Sequence, residues 1–236
     1  FAKEVEIDDI KELLDQMIAC NTAIAQEGMH GDYGANIGKV IAIRKDLPSL
    51  LKAYAAAGSD ARMNGCELPV VINSGSGNQG LTVSVPLIVY AEREHLDKEK
   101  LYRALVISNL TAIHLKTEIG RLSAFCGAVS AGAACGAGLA YLKDASEEVM
   151  NHTIVNALAI TSGIICDGAK ASCAAKIAVS VEAGILGYDM YMNGQQFYGG
   201  DGIISKGIEN TIHNIGVLGS QGMASTDQEI IKIMCE

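Results

Sequence analysis

The segment FCGAVSAGAACGAGLAYL, Phe125 to Leu142, consists mostly of Gly, Ala, Ser and Cys, and ASCAAKIAVSVEAGILGY, Ala171 to Tyr188, has a similar character. A glycine inside a helix costs about 1 kcal/mol relative to alanine, so helices with several glycines need something to offset them. Small residues let helix backbones approach closely, and tight packing or a bound group would provide that offset. The expected fold is therefore mainly α: one multi-helix domain over residues 1–236, with at most a few short strands. Hydrophobic residues make up 49% of the chain. Even so, Gly, Asn, Lys or Asp breaks the apolar runs well short of the roughly 18 to 20 residues of a membrane span. A soluble protein that does not enter a membrane is expected.

The net charge of −9 argues against a polyanionic partner, because nucleic-acid affinity comes mainly from Lys and Arg neutralising phosphates. No nucleic-acid partner is expected. The opening FAKEVEIDDIKELLDQM is charged from its third residue and amphipathic, unlike a secretory leader, which predicts a cytoplasmic location. Seven cysteines in such a chain are expected to be reduced thiols, several of them buried as small apolar residues. The sequence starts at Phe1, directly before a helix-like segment, and is expected to be the C-terminal portion of a longer polypeptide.

Helical spacing of Ile7, Ile10, Leu13, Leu14, Met17 and Ile18 predicts a long first helix, with acids in its first turn. A short apolar helix follows a Gly-rich break, and PSLLKAYAAAGSDARMNG forms another, closed by Gly65. Val70 to Ile72 read as a short extended piece entering the Gly-rich turn SGSGNQG. TVSVPLIVYAERE reads as a helix with Pro86 near its start. Helices dominate the remainder, and the last residues are expected to be a short frayed tail.

Two features carry possible chemistry. The first is the cysteines: Cys126 and Cys135 flank GAVSAGAA, and Cys166 and Cys173 flank DGAKAS. On an unbroken helix a seven-residue spacing puts the Cα atoms roughly 10 Å apart, which suits a single tetrahedral zinc poorly. A larger iron–sulfur cluster accepts thiolates from more widely separated positions. Core packing, cluster ligation and a reactive thiol, or a zinc or thiol enzyme built on the same residues, all stay open on spacing alone. Asp167 is expected to repel a thiolate at Cys166 and Lys170 to stabilise it. The five histidines show no ligand spacing. The second feature is NSGSGNQG, Asn73 to Gly80, whose small polar side chains and backbone N–H groups before a helix suit an anion such as a carboxylate, although a plain connection is the alternative.

NSGSGNQG, HLKTEIGRLSAFCGAVSAGAACGAGLAYL and IICDGAKASCAAKI, in that order, resemble the C-terminal part of the L-cysteine desulfidase family, relatives of the α subunit of iron–sulfur L-serine dehydratases. The resemblance implies a serine dehydratase α-like helical domain and a four-iron four-sulfur (4Fe-4S) cluster held by Cys126, Cys166 and Cys173. It further implies a lyase that eliminates sulfide or water from L-cysteine or L-serine, giving pyruvate and ammonia. Ser74, Ser76, Gly77, Asn78, Gln79 and Gly80 are then expected to bind the substrate carboxylate, with Asn78 the leading polar candidate. Cys135 is expected to be packing, while Lys116, Glu118 and Lys170 are nearby sources of charge. Cys235 is weighed as a cap for the open iron against a role as part of the tail. The family's C-T-E-P motif, which carries a proposed catalytic base, is absent, and Cys20 does not replace it, so no catalytic residue is assigned. A small amino-acid substrate and a homodimer complete the expectations, set against a non-catalytic helical domain whose cysteines only pack.

Overall fold

In the computed structural model, which describes residues 1–120 and 122–236, every regular element among the described residues is helical. The α-helices are α1 (Lys11–His30), α2 (Ile37–Ala42), α3 (Leu47–Met63), α4 (Gly77–Arg93), α5 (Lys98–Ile119), α6 (Gly127–Leu142), α7 (Glu147–Thr161), α8 (Cys173–Met192), α9 (Ile208–Val217) and α10 (Ala224–Cys235). A 3-10 turn at Ile7–Asp9 precedes α1, and a π turn at Leu218–Gly222 joins α9 to α10.

Local chemistry sets several of the helix starts. Asp46, Ser76, Asp97 and Ser146 each accept a hydrogen bond from the backbone N–H three residues on, satisfying a donor the helix itself leaves unpaired. α1 turns Leu14 and Met17 inward, whereas Leu13 from the same apolar set is 57% exposed.

α6 is the axis of the molecule. Every residue in it except Gly127 and Tyr141 is buried, and it packs against α4, α5, α7 and α8. Its glycines are required by close approach. A Cβ on Gly132 would stand 2.3 Å from the Ser180 carbonyl oxygen, and one on Gly136 only 2.8 Å from Gly184 Cα. The small-residue rows of α6 and α8 therefore meet backbone to backbone, and their packing offsets the helix cost of glycine. α1 and α3 make a similar contact, where a Cβ on Gly28 would overlap the Ala57 carbonyl. Phe125, Leu81, Leu87, Leu105, Leu115, Leu142, Leu158 and Ile177 fill the larger spaces of the core.

The structure corrects the sequence reading in three places. α4 begins at Gly77, within the Gly-rich segment, so Pro86 lies inside the helix rather than near its start. Val70 to Ile72, the short piece that enters this segment, lie outside any regular element, and Val71 is held by the buried Asn21, whose Oδ1 accepts from Val71 N at 2.9 Å and whose Nδ2 donates to Val71 O at 3.2 Å. Cys166 and Cys173 do not share a helix, because residues 162–172 form a loop and Cys173 opens α8. The C-terminal residues are not a frayed tail but the helix α10, no residue of which is buried.

Candidate active site

Three segments converge beside the N-termini of α4, α6 and α8. The first is the turn Asn73–Ser76, closed by the hydrogen bonds Asn73 N to Ser76 O (3.1 Å) and Ser76 N to Asn73 O (2.9 Å). Its central residues, Ser74 at φ 48° and Gly75 at φ 79°, both have the positive φ of a type I′ turn, which glycine adopts without penalty. Asn73 ties the turn to α5 through Asn109, with Nδ2 donating to Oδ1 at 2.9 Å. Ser76 then caps α4, so the helix starts at the turn's edge.

The second and third segments are the stretches around Cys126 and Cys166, joined by an isolated antiparallel bridge between Phe125 and Ile165. Cys126 N donates to Ile164 O at 3.1 Å and Cys166 N to Ala124 O at 2.6 Å. This pairing sets the two thiols side by side on one cavity wall. Their mutual influence, reinforced by burial, pushes the Cys126 thiol up, while Cys166 is pushed down to about 6. The N–H of Gly168 and the charges of Lys176 and Lys116 act on Cys166 in the same direction. Gly168, at φ +95°, supplies the left-handed turn that leads on toward α8, where Cys173 Sγ lies 3.6 Å from Gly168 O.

All three cysteines line one cavity of about 350 Å³, together with Ser74, Gly75, Ser76, Asn78, Gln79, Arg62, Lys116 and Lys176. The structure thus brings Ser74, Ser76, Asn78 and Gln79 together with Cys126, Cys166 and Cys173. Gly77 and Gly80 do not line the cavity but permit close packing, since a Cβ on Gly77 would stand 2.3 Å from Arg62 Nε and one on Gly80 2.0 Å from Val71 O. α4 meets α6 at the cavity, where Gln79 lies so close to Gly127 that a Cβ there would stand 2.5 Å from Nε2. A wider groove of about 840 Å³, with Ile113 and Thr117 on its wall, shares Ser74, Gly75, Lys116 and Leu122 with the cavity.

The electrostatics differ from the sequence reading. Asp167 does not confront Cys166 unpaired: both Lys170 and Lys176 bind its carboxylate, and these hydrogen bonds hold it at about 2. Lys170 is occupied with Asp167 and lies outside the cavity lining. Glu118 also lies outside it, 3.6 Å from His213. Lys116 is inside. It is 7% exposed and forms no ion pair or hydrogen bond among the described residues, and burial lowers its pKa against the opposing influence of Cys166 and Cys126. Sequence reasoning missed Arg62 and Lys176. Lys176, one turn into α8 from Cys173, was open to a spacing argument, whereas Arg62 reaches the site only through the packing of α3 beside α4.

Of the remaining cysteines, Cys135 is fully buried inside α6, and burial raises its pKa. Cys20 is half-buried on α1. Cys235 is exposed at the end of α10 and does not line the cavity, although its neighbour Met234 packs near Gly168.

Residues 1–232 match the profile of the serine dehydratase alpha chain family. The chain belongs to that family. Among its relatives, a UPF0597 protein of Desulfitobacterium hafniense (strain Y51) is 64% identical over 236 residues, covering 99% of this chain and 55% of the relative. A UPF0597 protein of Lachnoclostridium phytofermentans is 52% identical over 236 residues, with 99% and 57% covered. One from Finegoldia magna is 50% identical over 237 residues, with 100% and 57% covered. The alpha-chain segment described by these residues thus spans little more than half the length of those relatives. No solved structure matches it.

Proposed function

We propose that the chain carries an iron–sulfur cluster on Cys126, Cys166 and Cys173 and forms the cluster-binding half of a lyase that performs α,β-elimination on L-cysteine or L-serine. The observation that carries this reading is the convergence of three thiols from separate segments on one cavity beside an unpaired buried lysine. Among the described residues no three His, Cys, Asp or Glu side chains gather closely enough for a single ion. The donor set of this cavity is sulfur only, which suits a multi-iron group better than zinc. Membership in the serine dehydratase alpha chain family supports the same assignment.

Such a group, once bound, supplies an open Lewis-acidic iron that polarises the substrate. The chain's own residues have three tasks. Lys116 and Lys176 place positive charge beside the thiolates and favour their ionised form. Ser74, Ser76, Asn78 and Gln79, at the start of α4, present hydroxyl, amide and backbone donors to a carboxylate, where the helix dipole favours an anion. The bridge between Phe125 and Ile165 keeps Cys126 and Cys166 adjacent while a substrate enters from the groove. In the reaction a base removes the Cα proton as the bond from Cβ to sulfur or oxygen breaks. Hydrosulfide or water departs, and hydrolysis of the resulting enamine gives pyruvate and ammonia. Reduced thiols of this kind suit a cytoplasmic enzyme, and no helix among the described residues is long and apolar enough to cross a membrane.

The test is anaerobic reconstitution followed by iron and acid-labile sulfide analysis, visible absorption, and assay of pyruvate and sulfide from L-cysteine. About four iron and four sulfide per chain, lost in Cys166→Ser, are expected of a 4Fe-4S centre. Protein that takes up no iron and yields no pyruvate would overturn the proposal.

A further inference from the structure

Arg62 lies near the C-terminal end of α3, and its guanidinium crosses the first turn of α4 directly over Gly77. Its hydrogen bonds are from Nη1 to Asn78 Oδ1 at 3.3 Å and to Met63 Sδ at 3.8 Å. No carboxylate among the described residues pairs with it, although a guanidinium offers five N–H donors in a planar fork that matches a carboxylate. The amides of Gly77 and Asn78, which open α4 beneath it, have no acceptor among the described residues, whereas those of Gln79 and Gly80 are satisfied by Ser76.

Two further groups show that this cavity is built for a polar ligand. Gln79 is 6% exposed, and its side-chain carbonyl oxygen is buried without a donor. Lys116 is 7% exposed and has no ion-pair or hydrogen-bond partner among the described residues. A buried polar or charged group without a partner is costly, so two of them on the wall of one cavity mark a place that a ligand completes. The two cations are not equivalent. The field of Lys116 falls on Cys166 and Cys126, while Arg62 sits with Asn78 at the start of α4.

We propose that Arg62 is the residue that binds the substrate α-carboxylate, aided by the free amides at the start of α4, and that it makes the site selective for α-amino acids over their uncharged or decarboxylated analogues. The substrate class rests on the lyase reading above. The carboxylate site stands on the geometry of Arg62 and the start of α4, and the Gln79 oxygen, an acceptor without a donor, suits the α-ammonium of the same substrate.

The experiment is isothermal titration of the anaerobically reconstituted protein with L-alanine, which has the α-carboxylate and α-ammonium but no leaving group, and with L-alaninamide, in which a neutral amide replaces the carboxylate. Wild type, Arg62→Gln and Arg62→Lys are compared, with iron content and melting temperature measured on each. Wild type is expected to prefer L-alanine by about tenfold or more, the scale of a charge-assisted hydrogen bond. Arg62→Gln should reduce that preference to within about threefold at unchanged iron content, and Arg62→Lys should restore part of it. A folded Arg62→Gln protein that keeps the wild-type preference overturns the proposal, as does wild type that loads iron yet fails to distinguish the two ligands. An Arg62-dependent preference in protein that loads no iron upholds the carboxylate site and removes the cluster reading instead.

Discussion

Lys116 and Asp167 are charged residues with opposite circumstances, and each leads to a measurement. Burial disfavours the ammonium of Lys116, which has no ion-pair partner among the described residues. Replacing an uncompensated buried cation with an apolar side chain of similar length is stabilising. Lys116→Met is therefore expected to raise the melting temperature of metal-free protein by about 2–4 °C for each kcal/mol gained. The same change should weaken iron retention after reconstitution. Asp167 is held at about 2 by Lys170 and Lys176, so its folded-state pKa lies below the ordinary aspartate value of 3.8. Its contribution to stability is complete above that value and disappears as pH falls toward 2. The melting-temperature difference between wild type and Asp167→Asn should be constant from neutral pH down to about 4 and vanish near pH 2. A difference that persists unchanged at pH 2 would show that Asp167 acts through something other than its charge.

Among the elements, α6 and α8 make the sharpest prediction. Gly132→Val would drive a branched side chain into the Ser180 carbonyl, a backbone atom that has no room to withdraw. The expected cost is at least about 3 kcal/mol, at the upper end of overpacking penalties, measurable by urea unfolding. The abundance of Gly and Ala in both segments made this close-packed pair legible in the sequence, and the short apolar helix α2 was legible too. The start of α4 was not legible. SGSGNQG looks like a turn throughout, yet only its first part is one; Ser76 Oγ and the packing of Gly80 against Val71 commit the rest to helix. Nor does any local pattern announce that Phe125 pairs with Ile165. A single bridge carries no strand periodicity, so the spacing of Cys166 and Cys173 along the chain says little about the distances between their thiols. α10 was missed because it lies at the terminus, where fraying is the default expectation, and it buries none of its residues.

For the whole molecule, the site lies where the N-termini of α4, α6 and α8 meet, and the C-terminal segment runs alongside it. Ser123 Oγ donates to Gly219 O at 2.6 Å, and Met234 approaches Gly168. Because α10 contributes no buried residue, removing residues 224–236 should shift the melting temperature by no more than about 2 °C, as surface changes usually do. The same truncation should speed alkylation of Cys166 and Cys173 by a thiol reagent, and unchanged labelling rates would show that α10 does not shield them. Cys126 heads α6 and Cys173 heads α8, and these two helices touch through their backbones. The helix pair therefore works as a gauge block: the separation of two thiols on the cavity wall is set by glycines deep in the interior. Swapping such a glycine would spoil the fit of whatever those thiols grip without altering a single atom that grips it.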